Sequence, residues 1–223
     1  MPEFEKIIRG SIELNKMFMA LRRVADGLRR DFGEVENLQQ SLTGARGFVK
    51  KAQERIEQLI LSDLSLVRPS AGLLTPNVSK ESESSVRDEF VLAFSGAENF
   101  VRGISHFAIT LALSVNGETK IGLVYSPIED RLYYAEAGEG AFLYAPFHSQ
   151  RLRVSKNKDA FGRDSGCPAL DLAFVAAGKF DIARLPPSDF AEVCAGELLV
   201  REAGGSFFQD GADIVATNGI VGA

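Results

Sequence analysis

The residues of this sequence that could do chemistry are few and scattered. Two histidines, His106 and His148, lie apart from any serine or cysteine at the spacing of a catalytic pair. A Ser-His or Cys-His hydrolase therefore has no support, because such a nucleophile needs its base within hydrogen-bond reach, and His106 reads as structural. The two cysteines, Cys167 and Cys194, sit in apolar runs without Cys-x-x-Cys spacing. That pattern indicates neither a disulfide framework nor a zinc site and makes a reducing compartment the default. Among the carboxylates, Glu81, Glu83, Asp88 and Glu89 belong to a serine-rich stretch, residues 77–89, that reads as a solvated surface loop. Asp189-Phe190-Ala191-Glu192 and Ser95-Gly96-Ala97-Glu98 each have the spacing of a capping box. In such a box the first side chain accepts a hydrogen bond from the backbone of the fourth residue, and the glutamate reaches back. Both helix starts are thus expected to be satisfied without a ligand.

The elements that must position these groups follow from periodicity. Leu14, Met17, Phe18, Leu21, Val24, Ala25 and Leu28 share one face of a helix over residues 11–32 that is expected to end at Gly33. Phe48, Val49, Ala52, Ile56, Leu59 and Ile60 do the same over 48–61. Strand signals follow at 90–94, 104–115, 120–125, 131–135 and 141–144, with Asn116-Gly117 as a tight hairpin turn, so an antiparallel meander is the natural reading. Beyond residues 151–155 helices return at 169–178 and 190–203, the second stopped by Gly204-Gly205. Short strands are predicted at 206–208 and 214–217. No repeat or linker divides the chain, which reads as one domain over 1–223 with halves of about 1–147 and 148–223.

Bulk composition agrees. The 223 residues, 45% hydrophobic and 25% charged, suit an ordinary globular core. A net charge of −5 argues against direct nucleic-acid binding, and Arg22, Arg23, Arg29 and Arg30 read as a solvated helix face. Glu3, Glu5, Lys6 and Arg9 at the amino terminus precede no apolar h-region, and the most apolar run, 107–115, is too short to span a membrane. A soluble, cytoplasmic protein without a membrane partner is expected.

Read in order, several stretches resemble the inositol monophosphatase family, in particular its bacterial extragenic-suppressor branch. They are Asn99-Phe100-Val101-Arg102-Gly103 with His106-Phe107-Ala108, then Gly122-Leu123-Val124-Tyr125-Ser126-Pro127, then Gly138-Glu139-Gly140-Ala141-Phe142. Arg163-Asp164-Ser165-Gly166, the run Ala169-Leu170-Asp171-Leu172-Ala173-Phe174-Val175-Ala176-Ala177-Gly178 and Leu198-Leu199-Val200-Arg201-Glu202-Ala203-Gly204-Gly205 continue it. The resemblance implies a layered α/β fold with alternating helix and sheet layers. In that family the fold carries magnesium-dependent hydrolysis of small phosphomonoesters such as myo-inositol phosphates, in which carboxylates hold the cations that activate water and neutralise the phosphoryl group.

Carried over residue by residue, the resemblance leaves few of those carboxylates. The family's Gly-Glu-Glu-Ser motif falls near Ser70-Ala71-Gly72-Leu73. Its Asp-Pro-x-Asp-Gly-Thr-x-Asn-Phe motif, anchored on Asn99-Phe100, puts Leu92 and Ser95 at the two metal-binding aspartates, Gly96 at the glycine and Ala97 at the phosphate-contacting threonine. The Trp-Asp pair becomes Ala191-Glu192, an aspartate of the second helix maps to Lys50, and the serine of a Gly-Ser-Ala segment becomes Cys167. A vestigial site of Ser95, Gly96, Ala97 and Cys167 results, with Glu192 as the one surviving metal-type carboxylate. Lys50 is expected to lie near Glu192 in place of a cation. Only a few residues separate Ser155 from Arg163, where the family has several tens, so the carboxy-terminal half is expected to be reduced. The resulting expectation is a degenerate phosphatase that works by binding or assembly, without magnesium, as a homodimer. By analogy with extragenic-suppressor relatives its partner is the transcription machinery. The alternative is an active magnesium-dependent phosphatase that recruits displaced carboxylates from 77–89 alongside Glu192.

Overall fold

The computed structural model describes residues 7–38, 41–76 and 88–222. The chain begins with a helical hairpin, α1 (Ile12–Asn37) and α2 (Leu42–Val67). Serine caps both: the Ser11 Oγ accepts from the Leu14 N–H at 3.1 Å and the Ser41 Oγ from the Gly44 N–H at 3.2 Å. α1 runs through Gly33, where the sequence predicts a stop. Fully buried Val35 in the next turn offsets the roughly 1 kcal/mol that a helical glycine costs. α2 likewise starts earlier than its apolar periodicity, because the Ser41 cap rather than the first apolar residue sets its beginning.

A seven-stranded sheet follows in sequential order: β1 (Gly72–Leu74), β2 (Asp88–Ser95), β3 (Ala108–Val115), β4 (Glu118–Ser126), β5 (Arg131–Glu136), β6 (Gly140–Ala145) and β7 (His148–Arg151). β1 joins β2 in parallel, and all later pairs are antiparallel, which is the expected meander. Asn116 (φ 54°) and Gly117 (φ 83°) form the β3–β4 turn, both in the left-handed region that a two-residue hairpin demands. A single-turn helix, α3 (Ala97–Val101), links β2 to β3. The rear of the molecule comprises α4 (Pro168–Ala176), β8 (Ile182–Leu185), α5 (Phe190–Glu202), β9 (Ser206–Asp210) and β10 (Asp213–Thr217), with the strands in the order β8-β10-β9. β1 and β8, each of three or four residues, are too short to announce themselves by alternation.

Four layers result: α1/α2, the large sheet, α4/α5 and the small sheet. Side chains alternate across β2. Phe90 and Leu92 enter the front core with α1 and α2, while Val91 and Ala93 enter the rear core with α4 and α5. The apolar runs in β3 and β4 are therefore core on both faces.

One expectation is corrected at the edge of the described residues. The surface-loop reading of 77–89 fails at its end, since Asp88 and Glu89 open β2. Asp88 there pairs with Arg68 at 3.4 Å. Glu81 and Glu83 lie outside the described residues. The connection from β7 to α4, residues 152–167, contains no helix or strand. Buried Asp181 staples it: the carboxylate accepts from the Ser155 hydroxyl and the Phe161 N–H, and the Asp181 N–H donates back to the Phe161 carbonyl at 2.7 Å. Asn218 adds bonds from its side-chain amide to the Ser155 Oγ and the Asn157 carbonyl, both 2.9 Å.

Candidate functional site

The vestigial residues do converge, at the junction of β2, α3 and α4. Ser95 closes β2 and is fully buried, and Gly96 (φ 80°) then turns the chain into α3. A Cβ on Gly96 would lie 3.0 Å from the His106 carbonyl and 3.1 Å from the Cys167 Cβ. Both the positive φ and the crowding therefore require glycine. Ala97, the first residue of α3, has no hydroxyl to offer a ligand.

The capping expectation is overturned at Ser95. Its Oγ turns away from its own helix and accepts from the Ala169 N–H at 3.2 Å, at the start of α4. The α4 cap residue is Cys167, whose side chain makes no capping bond, so Ser95 satisfies one of the open helix donors across the layers. The Cys167 thiol donates to the Ser95 carbonyl at 3.5 Å. Burial pushes this thiol up to about 12, so it stays protonated and unreactive. Glu98, instead of reaching back, sits on the surface between Arg46 (3.0 Å) and Arg102 (2.9 Å). The Arg46 hydrogen bond, more than any other contact, holds its carboxyl below the usual range.

Asp189 caps α5 by position but makes no side-chain capping bond; only its carbonyl receives the Glu192 N–H, at 2.9 Å. The second predicted box is therefore also absent. Glu192 is half-buried, and burial, followed by the nearby Asp189 charge, raises its pKa. Its charge is the smallest of the influences that raise the Cys167 thiol, and no hydrogen bond or ion pair among the described residues joins it to Ser95 or Cys167. Lys50 does not accompany it. That side chain is exposed, and no ion pair among the described residues joins it to Glu192. One turn further along α2, Gln53, Ile56 and Glu57 line a cleft with Leu92, Phe94 and Ile109, so these and not Lys50 are the α2 residues that face Leu92.

Three polar residues that the sequence reading passed over hold the junction together. The Asn99 amide donates to the carbonyls of His106 (2.7 Å) and Ser165 (2.9 Å). Asp171, fully buried in α4, accepts from the Ser165 N–H (3.1 Å) and hydroxyl (2.6 Å), and burial raises its pKa. Thr110 of β3 donates to the Ala191 carbonyl at 3.1 Å, fixing the first turn of α5. Asp171 had a usable signal: it is the one charged residue in an otherwise apolar helix. Asn99 and Thr110 had none beyond the motif order. His106 lies tilted against Phe174 with ring centroids 5.6 Å apart, and its Nε2 is buried without a hydrogen-bond partner, so it is not paired with a nucleophile.

These residues do not fit a magnesium site. Magnesium requires a near-octahedral set of oxygens, supplied largely by carboxylates and water. Leu92 is an apolar side chain 2% exposed in the front core, Ser95 is committed to α4, and the two point to opposite faces of β2. The cleft beside Leu92 encloses about 10 Å³, near the lower limit for one water molecule. Among the described residues no group of three or more His, Cys, Asp or Glu side chains is placed to hold a metal.

Comparison with known proteins gives a consistent setting. The sequence model of the Inositol monophosphatase family matches residues 12–165. The Inositol-1-monophosphatase of Mesorhizobium japonicum is 34% identical over 242 residues, covering 93% of this chain and 90% of that protein. The Nus factor SuhB of Escherichia coli K12 is 31% identical over 248 residues, with the same coverage of both chains. The crystal structure of extragenic suppressor protein suhB from Bartonella henselae superposes with a TM-score of 0.80 at 29% identity, over 95% of each chain. Both sequence alignments are longer than the 223 residues of this chain, so the relatives carry residues that it lacks. Among the described residues no helix is long and apolar enough to cross a membrane.

Proposed function

The chain belongs to the inositol monophosphatase family, and we propose that within it this protein has given up metal-dependent phosphomonoester hydrolysis and works by binding or assembly in the cytoplasm. The observation that carries the reading is the state of β2. Where the family resemblance requires two aspartates, this chain has a buried leucine and a serine already bonded to α4. A lost carboxylate can be replaced by a neighbour only if space and enough oxygens converge; the cleft at Leu92 encloses about 10 Å³ with Glu57 as its one carboxylate, and no three metal-type side chains meet among the described residues.

The partner in this proposal is a protein, because a relative carries the name Nus factor. A component of the transcription machinery is the first candidate, with the chain itself acting as a homodimer. The competing reading, hydrolysis with displaced carboxylates, draws on the relatives named Inositol-1-monophosphatase and on Glu192. Release of phosphate from inositol phosphates, sugar phosphates and a generic phosphomonoester, measured with and without magnesium, separates the two. No magnesium-dependent turnover is expected, together with no saturable heat of magnesium binding by calorimetry. Turnover accompanied by micromolar magnesium binding would overturn the proposal.

A further inference from the structure

The large sheet ends in an exposed strand. β7 is paired with β6 on one side only, and all of its residues, His148, Ser149, Gln150 and Arg151, are exposed. The Leu152 N–H donates to the Ala141 carbonyl at 2.8 Å, and this bond sets the alternation along the strand. His148 and Gln150 turn their main-chain groups toward β6, so Ser149 and Arg151 turn theirs outward. Pro146 and Phe147 form the turn that enters β7. Phe147 has φ 64°, a value that favours glycine or asparagine, and its side chain is fully exposed. A bulky apolar ring thus occupies a strained position without serving the packing of its own fold.

Positive charge gathers along this strand although the chain carries a net −5. Arg9 and Arg151 lie over the same Phe142 ring, 5.3 and 5.7 Å from its centroid. Gly140 makes room for the second of them, since a Cβ there would be 2.7 Å from the Arg151 Nη2. Arg153 follows two residues later. All three arginines are exposed, and among the described residues no ion pair joins them to a carboxylate. Two nearby glutamates are already committed to backbone N–H groups: Glu136 accepts from Ser11 at 3.0 Å, and Glu202 from Gly138 and Gly140 at 2.8 Å.

We infer that β7 receives an acidic, extended segment of a partner protein as an added strand. Its main chain pairs with Ser149 and Arg151, every second side chain is a carboxylate that meets Arg9 and Arg151 on the Phe142 face, and an apolar residue covers Phe147. The inference rests on the protein-binding reading above and gives it a surface. Charges on an edge strand ordinarily guard it against pairing with its own kind. Here the guard has one sign, so it turns away another basic edge and admits an acidic one. A single-stranded nucleic acid would meet the same arginines, but it has no peptide groups for the open main chain of Ser149 and Arg151, and the net charge of the chain repels a polyanion.

Fluorescence anisotropy of a labelled octapeptide alternating Glu and Val, titrated with the full chain, tests this. Saturable binding is expected. A peptide with Lys in place of Glu should bind at least about tenfold more weakly, and so should the Glu peptide N-methylated on alternate amides, which cannot pair as a strand. Arg151→Glu should weaken the Glu peptide by about tenfold or more. Ser149→Pro removes one outward N–H without touching the bonds to β6 and should weaken it by about threefold or more; circular dichroism shows that each variant is folded. In the native chain, amide exchange at Ser149 and Arg151 should slow by at least about tenfold when the peptide saturates, with Gln150 unchanged. Absence of saturable binding, equal binding of the N-methylated peptide, or unchanged exchange at Ser149 and Arg151 overturns the added strand. Indifference to Arg151→Glu overturns the acidic match. An RNA oligonucleotide of equal charge that displaces the peptide at equal concentration assigns the edge to nucleic acid and overturns the protein segment. Loss of hydrolysis is read by turnover and is untouched by each of these results.

Discussion

The front and rear cores of this molecule are built on opposite principles. In front, large rings fill the space between the helical hairpin and the sheet: Phe100 and Phe107 lie with centroids 4.6 Å apart, and Phe32 and Phe94 each lie 5.6 Å or less from both. Behind, small residues let backbones approach. α4 contributes Ala169, Ala173 and Ala176, α5 contributes Ala191, Ala195 and Gly196, and β4 meets α5 at Gly122, where a Cβ would lie 2.9 Å from the Ala195 carbonyl. β2 straddles the two, with Leu92 in the front core and Ser95 at the rear junction. The two positions of β2 are thus used differently on each side, for apolar filling in front and for internal hydrogen bonding behind.

If that contrast is right, the front should fail by emptying and the rear by crowding. Phe100→Ala is expected to have the largest effect, about 3–5 kcal/mol of unfolding free energy, because its fully buried ring contacts three others. Urea titration with both fluorescence and circular dichroism reads it, and a loss near 1 kcal/mol would mean that the ring cluster collapses easily. Gly122→Ala comes next at about 1–3 kcal/mol, since the obstructing atoms are backbone and no rotamer change can relieve them. A neutral Gly122→Ala would show that β4 and α5 have slack and would end the comparison as drawn. Ser95→Ala should cost about 1 kcal/mol through loss of the cap it provides to α4. Should the same change prove silent, the serine oxygen would be free for another role.

Much of this arrangement is legible in the sequence, for a physical reason. Long elements that bury one face write their period into the chain, so α1, α2 and the meander from β2 to β6 follow from apolar spacing and from Asn116-Gly117. The family motifs bring Ser95, Gly96 and Cys167 together correctly. What stays hidden is where a polar side chain spends its hydrogen bonds. Ser95 has the spacing of a cap for its own helix and serves α4, 74 residues away. Glu98 has the spacing to reach back and instead pairs with Arg46, 52 residues earlier. The family motif maps an aspartate onto Lys50, yet helix phase leaves Lys50 exposed and turns Gln53 toward β2. Local spacing states what a side chain can reach; only the tertiary fold decides which of several acceptors or donors is nearest.

The smallest effect sharpens the comparison most, because it concerns Glu192, the carboxylate that the proposal treats as a relic of a metal site. Burial and the Asp189 charge raise the pKa of Glu192 in the folded state above its ordinary value of 4.5. The folded protein therefore holds that proton more tightly than the unfolded chain does. Its contribution to stability is fully present below about pH 4.5 and is lost as pH rises through the folded pKa, so at neutral pH the ionised group is a net cost. Glu192→Gln keeps the shape and removes the charge. It is expected to match the native chain near pH 4 and to be slightly more stable at pH 7, by a few tenths of a kcal/mol once solvent screening of this half-exposed group is allowed for. Urea midpoints at the two pH values, each with and without magnesium, provide the measurement, and magnesium is expected to shift neither protein. A carboxylate that held a cation would give the opposite pattern. Magnesium would stabilise the native chain and not the glutamine variant, and the variant would be the weaker of the two at neutral pH. In that case Glu192 would be a working ligand in the rear junction, and hydrogen bonding alone would not have replaced the lost site.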